Sequence, residues 1–274
     1  MIGEEGEYRK CRLSGANCRG WKSGGQGLWG SCRLSQSNHL EPLLRRWSKH
    51  CEFSVEDRDA IRSLPYLRKS YGKDAYIVRE GERATECTVL LRGFAYRQKL
   101  LSDGDRQIIS FHIPSEFVDL QNGVLGIADH NVQSLNHSEV ATIPRSALLE
   151  IADRHPNIRR AMWIDTLIDS SIFREWVVNV GRRDSRTRIA HLLCELVLRL
   201  RRIGADKGGV FDFPLTQEQL ADATGLTAVH TNRTLQTLRR EGLIQLTSGN
   251  LSVLDWEGLR EVGDFDELYL HQQL

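Results

Sequence analysis

No apolar run in this chain approaches the ~20 residues that a bilayer-spanning helix needs. The N-terminus also lacks an apolar stretch between a basic start and a small-residue cleavage site. The first absence argues against a membrane span and the second against a secretory signal, so a cytoplasmic protein is expected. In that compartment the six cysteines read as free thiols rather than a disulfide framework. Neither sign of charge dominates, with 37 Lys and Arg against 36 Asp and Glu in 274 residues. That balance conceals a segregation. Residues 182–243 carry eleven basic and seven acidic side chains, whereas 244–274 carry one Arg and six acidic groups. A basic stretch of this kind suits a polyanion partner, although ordinary solvated faces reach the same charge.

What is present is clearest in LTQEQLADATGLTAVHTNRTLQTLRREGLI, residues 215–244. It reads as two short helices joined at a tight glycine turn. Thr216 caps the first helix, with Gln219 completing a capping box, and Leu220 and Ala223 form its apolar face. Gly225 stands where the chain must leave that helix in a left-handed conformation. Thr227 caps the second helix and Gly242 stops it. Thr231, Thr234, Leu235 and Leu238 fall on one face, and Val229, Arg233, Gln236 and Arg240 on the other. A plain helical hairpin would share these features. The next segment narrows the choice, because Leu243, Ile244 and Leu246 lead through Ser248-Gly249-Asn250 to Leu251, Val253 and Leu254. Two apolar arms about such a turn predict a β-hairpin, and the whole becomes a winged helix-turn-helix over 182–254. Residues 255–274 are read as an acidic C-terminal tail.

Upstream, residues 1–39 are poor in aliphatics and rich in Gly, Ser, Arg and Cys, and read as a disordered extension. Short amphipathic helices are expected around Leu43, Leu44 and Trp47, and after a Ser54 cap toward Ile61 and Leu64. From Ala75 to Pro144 short β-runs alternate with glycine turns at spacings near ten residues, which predicts a jelly roll or barrel within 40–153. A helix of about 25 residues follows, within 154–181. Its stripe of Ile158, Met162, Ile168, Ile172 and Trp176 is assigned to pairing with a second subunit, with a plain core helix inside one subunit as the alternative. Trp163, Ile164, Leu167 and Val178 lie on other faces, and Asp165 and Asp169 interrupt the stripe. One further helix, Thr187–Leu200, is expected beneath the helix pair. The fold class is therefore α+β: a β jelly-roll barrel, a long dimerisation helix and a winged helix-turn-helix.

This order resembles the Crp/Fnr family of transcription regulators from about Leu40 to Leu254. The stretch 215–244 carries the resemblance most specifically, followed by YIVREGERATECTVLLRGFAYR and SEVATIP. The resemblance implies a cyclic-nucleotide-binding-like sensor barrel, a homodimer, double-stranded DNA and RNA polymerase as partners, and no enzymatic activity. Thr216, Gln217, Thr227, Ala228, Val229, His230, Asn232, Arg233 and Gln236 are the candidate DNA contacts. Arg233 is placed to read guanine O6 and N7 as a bidentate donor. Val229 replaces a glutamate common in the family and cannot accept from cytosine N4.

The effector cassette departs further. Its Gly-Glu positions hold Asp119 and Leu120, its Arg-Ser positions Ala128 and Asp129, and no Arg or Lys occurs between Gln107 and Ser138. This degenerate pocket leaves cAMP without its phosphate partners. An iron–sulfur cluster needs about four converging thiolates, and Cys11, Cys18 and Cys32 lack the tight spacing of the family's cluster-binding branch. Haem through His112, His130 or His137 is the other redox option, and Cys51, Cys87 and Cys194 are candidates for a thiol switch. No cofactor and no metal site is expected, because no His-x-His pair with a carboxylate occurs at ligand spacing. A cupin-like enzyme, using His112, Glu116, His130 and His137, is the rival from another class. A constitutive DNA-binding protein with the barrel as scaffold is the third reading.

Overall fold

The computed structural model describes residues 39–271. The expectation of disorder for the N-terminal extension, and Cys11, Cys18 and Cys32, lie outside the described residues. Two short helices open the described chain, α1 (Glu41–Trp47) and α2 (Val55–Arg62). Ser54 caps α2 through a reciprocal capping box with Asp57, which satisfies two N–H groups that helix geometry leaves unpaired. Seven strands follow: β1 (Leu67–Tyr71), β2 (Tyr76–Val78), β3 (Glu86–Arg92), β4 (Ala95–Leu100), β5 (Arg106–His112), β6 (Asn131–Ser134) and β7 (Ser138–Pro144). A one-turn helix, α3 (Asn122–Leu125), interrupts them after β5. They form two antiparallel sheets, ordered β1-β7-β3 and β2-β6-β4-β5. Leu90 and Val140 from the first sheet meet Ala95 and Val132 from the second, and Val118 joins them in the barrel's own core.

Helices α4 (Arg145–Arg154) and α5 (Pro156–Arg182) leave the barrel. The stripe assigned above to a partner subunit is a correction. Ile158 and Met162 pack with α1, α4 and β3, while Ile168, Ile172 and Trp176 pack with β5 and the next helix. All five are buried by their own chain. Helical periodicity marks an apolar stripe but not what covers it. The two aspartates in that stripe are neutralised from outside the helix, Asp165 by Arg46 of α1 and Asp169 by Arg97 of β4. The face left open carries Trp163, Leu167 and Val177, 72%, 62% and 73% exposed.

The remaining elements are α6 (Ser185–Arg202), β8 (Val210–Asp212), α7 (Gln217–Thr224), α8 (Ala228–Arg240), β9 (Ile244–Thr247), β10 (Asn250–Val253) and α9 (Trp256–Val262). Asp184 caps α6 by accepting from the N–H groups of Arg186 and Thr187. The β9–β10 hairpin turns on Ser248 and Gly249, both at positive φ, as a two-residue hairpin turn demands. Strand β8 adds to its β10 edge. Residues 255–271 are folded rather than a tail: Leu259, Phe265 and Leu270 are buried, and α9 packs on α6. One apolar cluster runs from Tyr96, Ile108 and Phe111 of the barrel through Trp176 to Leu193, Leu220 and Leu238. Barrel and helix-turn-helix thus share a core.

Candidate nucleic-acid interface

Local chemistry fixes the helix pair. Thr216 Oγ1 accepts from Gln219 N–H and the Gln219 side chain accepts from Thr216 N–H, so the first turn of α7 is closed at both ends. Gly225 leaves α7 at φ +64°, and a Cβ there would press on Val180 at 3.3 Å. Thr227 then caps α8 by accepting from His230 N–H at 3.2 Å. Thr231, Thr234, Leu235 and Leu238 are buried against the domain, as the periodicity required. The other side of α8 faces outward. Thr216, Gln217, Thr227, Ala228, Val229, His230, Arg233 and Gln236 are all exposed, and Asn232 is half-buried.

Contacts on this face are few and weak. Gln236 donates to Asn232 at 3.3 Å, and Arg240 donates to Thr237 Oγ1 at 3.0 Å. Among the described residues no carboxylate pairs with Arg233. A guanidinium free of an internal partner retains its five donors for an incoming acceptor. Arg186 at the foot of α6 is instead committed to Glu241 at 2.7 Å. Arg239 and Arg240 are exposed basic groups in the last turn of α8. Sequence reasoning placed Arg240 on this face but left both out of the candidate contacts, although their Arg-Arg spelling was the signal.

Comparison with known proteins matches two stretches of this architecture. Residues 68–155 match the cyclic nucleotide-binding domain, and residues 187–262 match the Crp-like helix-turn-helix domain. Together the two stretches span well over half of the chain. The chain is 28% identical over 216 residues to the transcriptional activator protein FnrL of Cereibacter sphaeroides, covering 76% of this chain and 85% of that one. It is 29% identical over 186 residues to the transcriptional activatory protein AadR of Rhodopseudomonas palustris, covering 68% and 76%. The structure of FixK2 from Bradyrhizobium japonicum superposes with a TM-score of 0.67 at 25% identity, over 73% of this chain and 98% of that one. A CRP-family transcriptional regulator from Thermus thermophilus shares the fold, with a TM-score of 0.57 at 20% identity over 72% and 97%. The chain belongs to the Crp/Fnr family of transcription regulators.

The four cassette positions each have their own surroundings. Asp119 is buried and accepts from Thr88 N–H at 2.6 Å, and burial pushes its carboxyl up to about 7 against that hydrogen bond. Leu120 packs among the apolar residues around α1 and α4. Ala128 makes main-chain bonds to Gly81 and Glu82. Asp129 points outward and holds His130 Nδ1 at 2.6 Å. Sequence reasoning missed Arg97. It is 2% exposed, and its guanidinium donates to Asp169 at 2.9 Å and to the Val118 carbonyl at 3.0 Å. The cation inside this barrel comes from β4, not from the cassette, and is already spent on the long helix.

The redox candidates fare differently. Cys87 and Cys194 are fully buried, and burial pushes both thiols up to about 12. Neither supplies the thiolate that a thiol switch needs. Cys51 is half-buried and also raised by burial. His130 is buried, and burial followed by the Arg97 charge lowers it to about 4. His112 is lowered by burial although Glu116 lies 3.7 Å from its Nδ1. Glu116 itself is taken by Arg46 and Arg199, which hold its carboxyl far below the ordinary range against the cost of burial. His137 is exposed, immediately before β7. The space beside His112 and Glu116 is about 30 Å³, room for one water molecule and far short of a haem. No group of three or more His, Cys, Asp or Glu with metal-binding geometry exists among the described residues. No described helix is long and apolar enough to cross a membrane.

Proposed function

We propose that this protein is a cytoplasmic, homodimeric regulator that reads a pseudo-palindromic DNA site, with RNA polymerase as its downstream partner and without enzymatic activity. The observation that carries the reading is the outward face of α8, with Arg233 free at its middle. Two such helices enter successive major grooves about 10 base pairs apart when a twofold axis relates them. The open face of α5 supports the dimer. Trp163, Leu167, Ser170, Arg174 and Val177 recur at alternating spacings of four and three, the period of a paired-helix seam. Large exposed apolar side chains grouped in this way mark an interface.

Cyclic nucleotides are not the effector in this reading. Support comes from two carboxylates at the cassette, Asp119 and Asp129, and from the commitment of Arg97 to Asp169. Among the described residues an anionic phosphate at those positions would find no free arginine to neutralise it. No iron–sulfur cluster, haem or metal is assigned. Selection of bound sites from random duplexes by the purified protein tests the whole reading. A symmetric pair of half-sites is expected, with one guanine per half-site. Enrichment of no sequence, or of a single unpaired half-site, would overturn it.

A further inference from the structure

A cavity of about 400 Å³ lies between α1, the loop before α3, α5 and the end of α6. Its size falls in the range of small-molecule sites. Five cationic side chains line it: Arg45, Arg46 and Lys49 from the α1 side, and Arg199 and Arg202 from α6. Glu116 also lines it, bonded to Arg46 at 3.2 Å and Arg199 at 2.8 Å. Asp165 and Glu195 complete the partners of those two arginines. Arg45, Lys49 and Arg202 have no carboxylate partner among the described residues. Lys49 donates to the Arg202 carbonyl at 2.8 Å, and Arg202 meets His50 Nε2 at 2.9 Å. Arg199 Nε is buried without an acceptor.

Crowding of like charge has a cost that these groups register. Burial, and then the charges of Arg202 and Arg46, lower Lys49. Burial, and then Arg46, lower Arg202. His50 falls to about 4 through burial and the same three neighbours. An anion placed among them removes that repulsion. Guanidinium forks and an ammonium group converging from two elements match the several oxygens of a phosphate. The same lining also includes the apolar Leu91, Ile168, Ile203 and Leu270, which suit the organic part of such a molecule.

We propose that this cavity binds a small phosphate-bearing anion. It lies apart from the barrel cassette, and its walls come from the sensor side (α1, Glu116) and from the helix that supports the DNA-binding pair (α6). Resting on the regulator reading, we assign the bound anion the role of effector. It joins Arg45 and Lys49 to Arg202 and so changes how firmly α6 is held to the sensor.

The test uses inorganic pyrophosphate titrated calorimetrically into the full-length protein at fixed ionic strength. Wild type is expected to bind. Lys49→Gln and Arg202→Gln should each weaken binding about tenfold, the loss of one charge-assisted contact, and the double variant about a hundredfold, which takes it below calorimetric detection. Arg233→Ala should leave the isotherm unchanged, since the recognition helix is not the site. Absence of heat with wild type, or binding that survives the double variant, would overturn the proposal. DNA affinity is measured on the same proteins with a selected duplex. Pyrophosphate should shift the wild-type affinity and not that of the double variant. Binding without such a shift overturns the effector role. The double variant retaining DNA affinity without pyrophosphate shows that the regulator reading stands whatever the cavity binds.

Discussion

Among the described residues Arg233 differs from Arg186 and Arg240 in that its guanidinium has no partner. Arg186 is paired with Glu241 and Arg240 with Thr237, so each must break a contact before it meets DNA. Arg233 breaks no ion pair on reaching a guanine edge. Arg233→Ala is therefore expected to lower affinity for the selected site by about 1 to 3 kcal/mol and to flatten preference at one base pair per half-site. Fluorescence anisotropy on duplexes substituted at each position measures both; a uniform loss across all sequences would make Arg233 a phosphate contact instead. A second residue carries a pH signature. Burial raises the Asp119 carboxyl to about 7, above its unfolded value of about 3.9. The folded state thus binds the extra proton, and the stability this group contributes is complete below about pH 4 and lost as pH rises through 7. Asp119→Asn keeps the acceptor for Thr88 N–H and removes the titration. The melting temperature of the variant relative to wild type should climb between about pH 4 and 7 and then level off. A difference that stays flat would mean that Asp119 titrates normally.

Helix α5 shows what an element adds to its residues. One of its faces holds the barrel to the helix-turn-helix, and the opposite face, with Trp163 and Leu167, is open. Leu167→Glu places a charge on the open face without touching the protomer core. It should yield folded monomers by sedimentation velocity and lower affinity for the two-half-site duplex by at least about tenfold, because each monomer then gains only one half-site. A dimer that persists would move the interface elsewhere. The same helix marks the limit of reading from sequence. Caps at Ser54, Thr216 and Thr227, and the turn at Gly225, were legible because their partners lie within three residues or in the backbone itself. The inward face of α8 was legible because one period decides it. Strand β1, LRKSY, was not, since it is largely exposed and shows no apolar alternation, and β8 is only three residues long. Which apolar face of α5 is covered depends on β5, far upstream in the chain, and on how the next helix, α6, folds back against it. Arg97 was invisible for the same reason: a charge at the centre of a strand reads as solvated until Asp169, 72 positions on, is found beside it.

At the scale of the molecule, barrel and helix-turn-helix are joined by more than a connecting helix. Arg106 of β5 donates to Asp222 of α7 at 2.7 Å, and Gln107 donates to the Asp222 carbonyl at 2.6 Å. Arg199 of α6 reaches the Phe111 carbonyl at 2.7 Å, and Trp176 donates to Glu195 at 2.9 Å. These contacts surround the apolar cluster that passes from the barrel into the helix pair. Parts that share a buried core unfold together, because neither retains its apolar cover alone. Calorimetry at constant protein concentration is therefore expected to give one transition for the whole described body rather than one for each part. Arg106 and Asp222 are each about one-quarter exposed, so water partly screens their attraction. Arg106→Ala should destabilise by about 1 kcal/mol or slightly more. That loss should shift the single transition downward and leave it single. A double-mutant cycle with Asp222→Ala should return a coupling of at least about 0.5 kcal/mol, as residues in direct contact do. Two resolved transitions in wild type would show instead that the barrel and the helix-turn-helix hold their folds independently, and that the Arg106–Asp222 contact fixes only how one is set against the other.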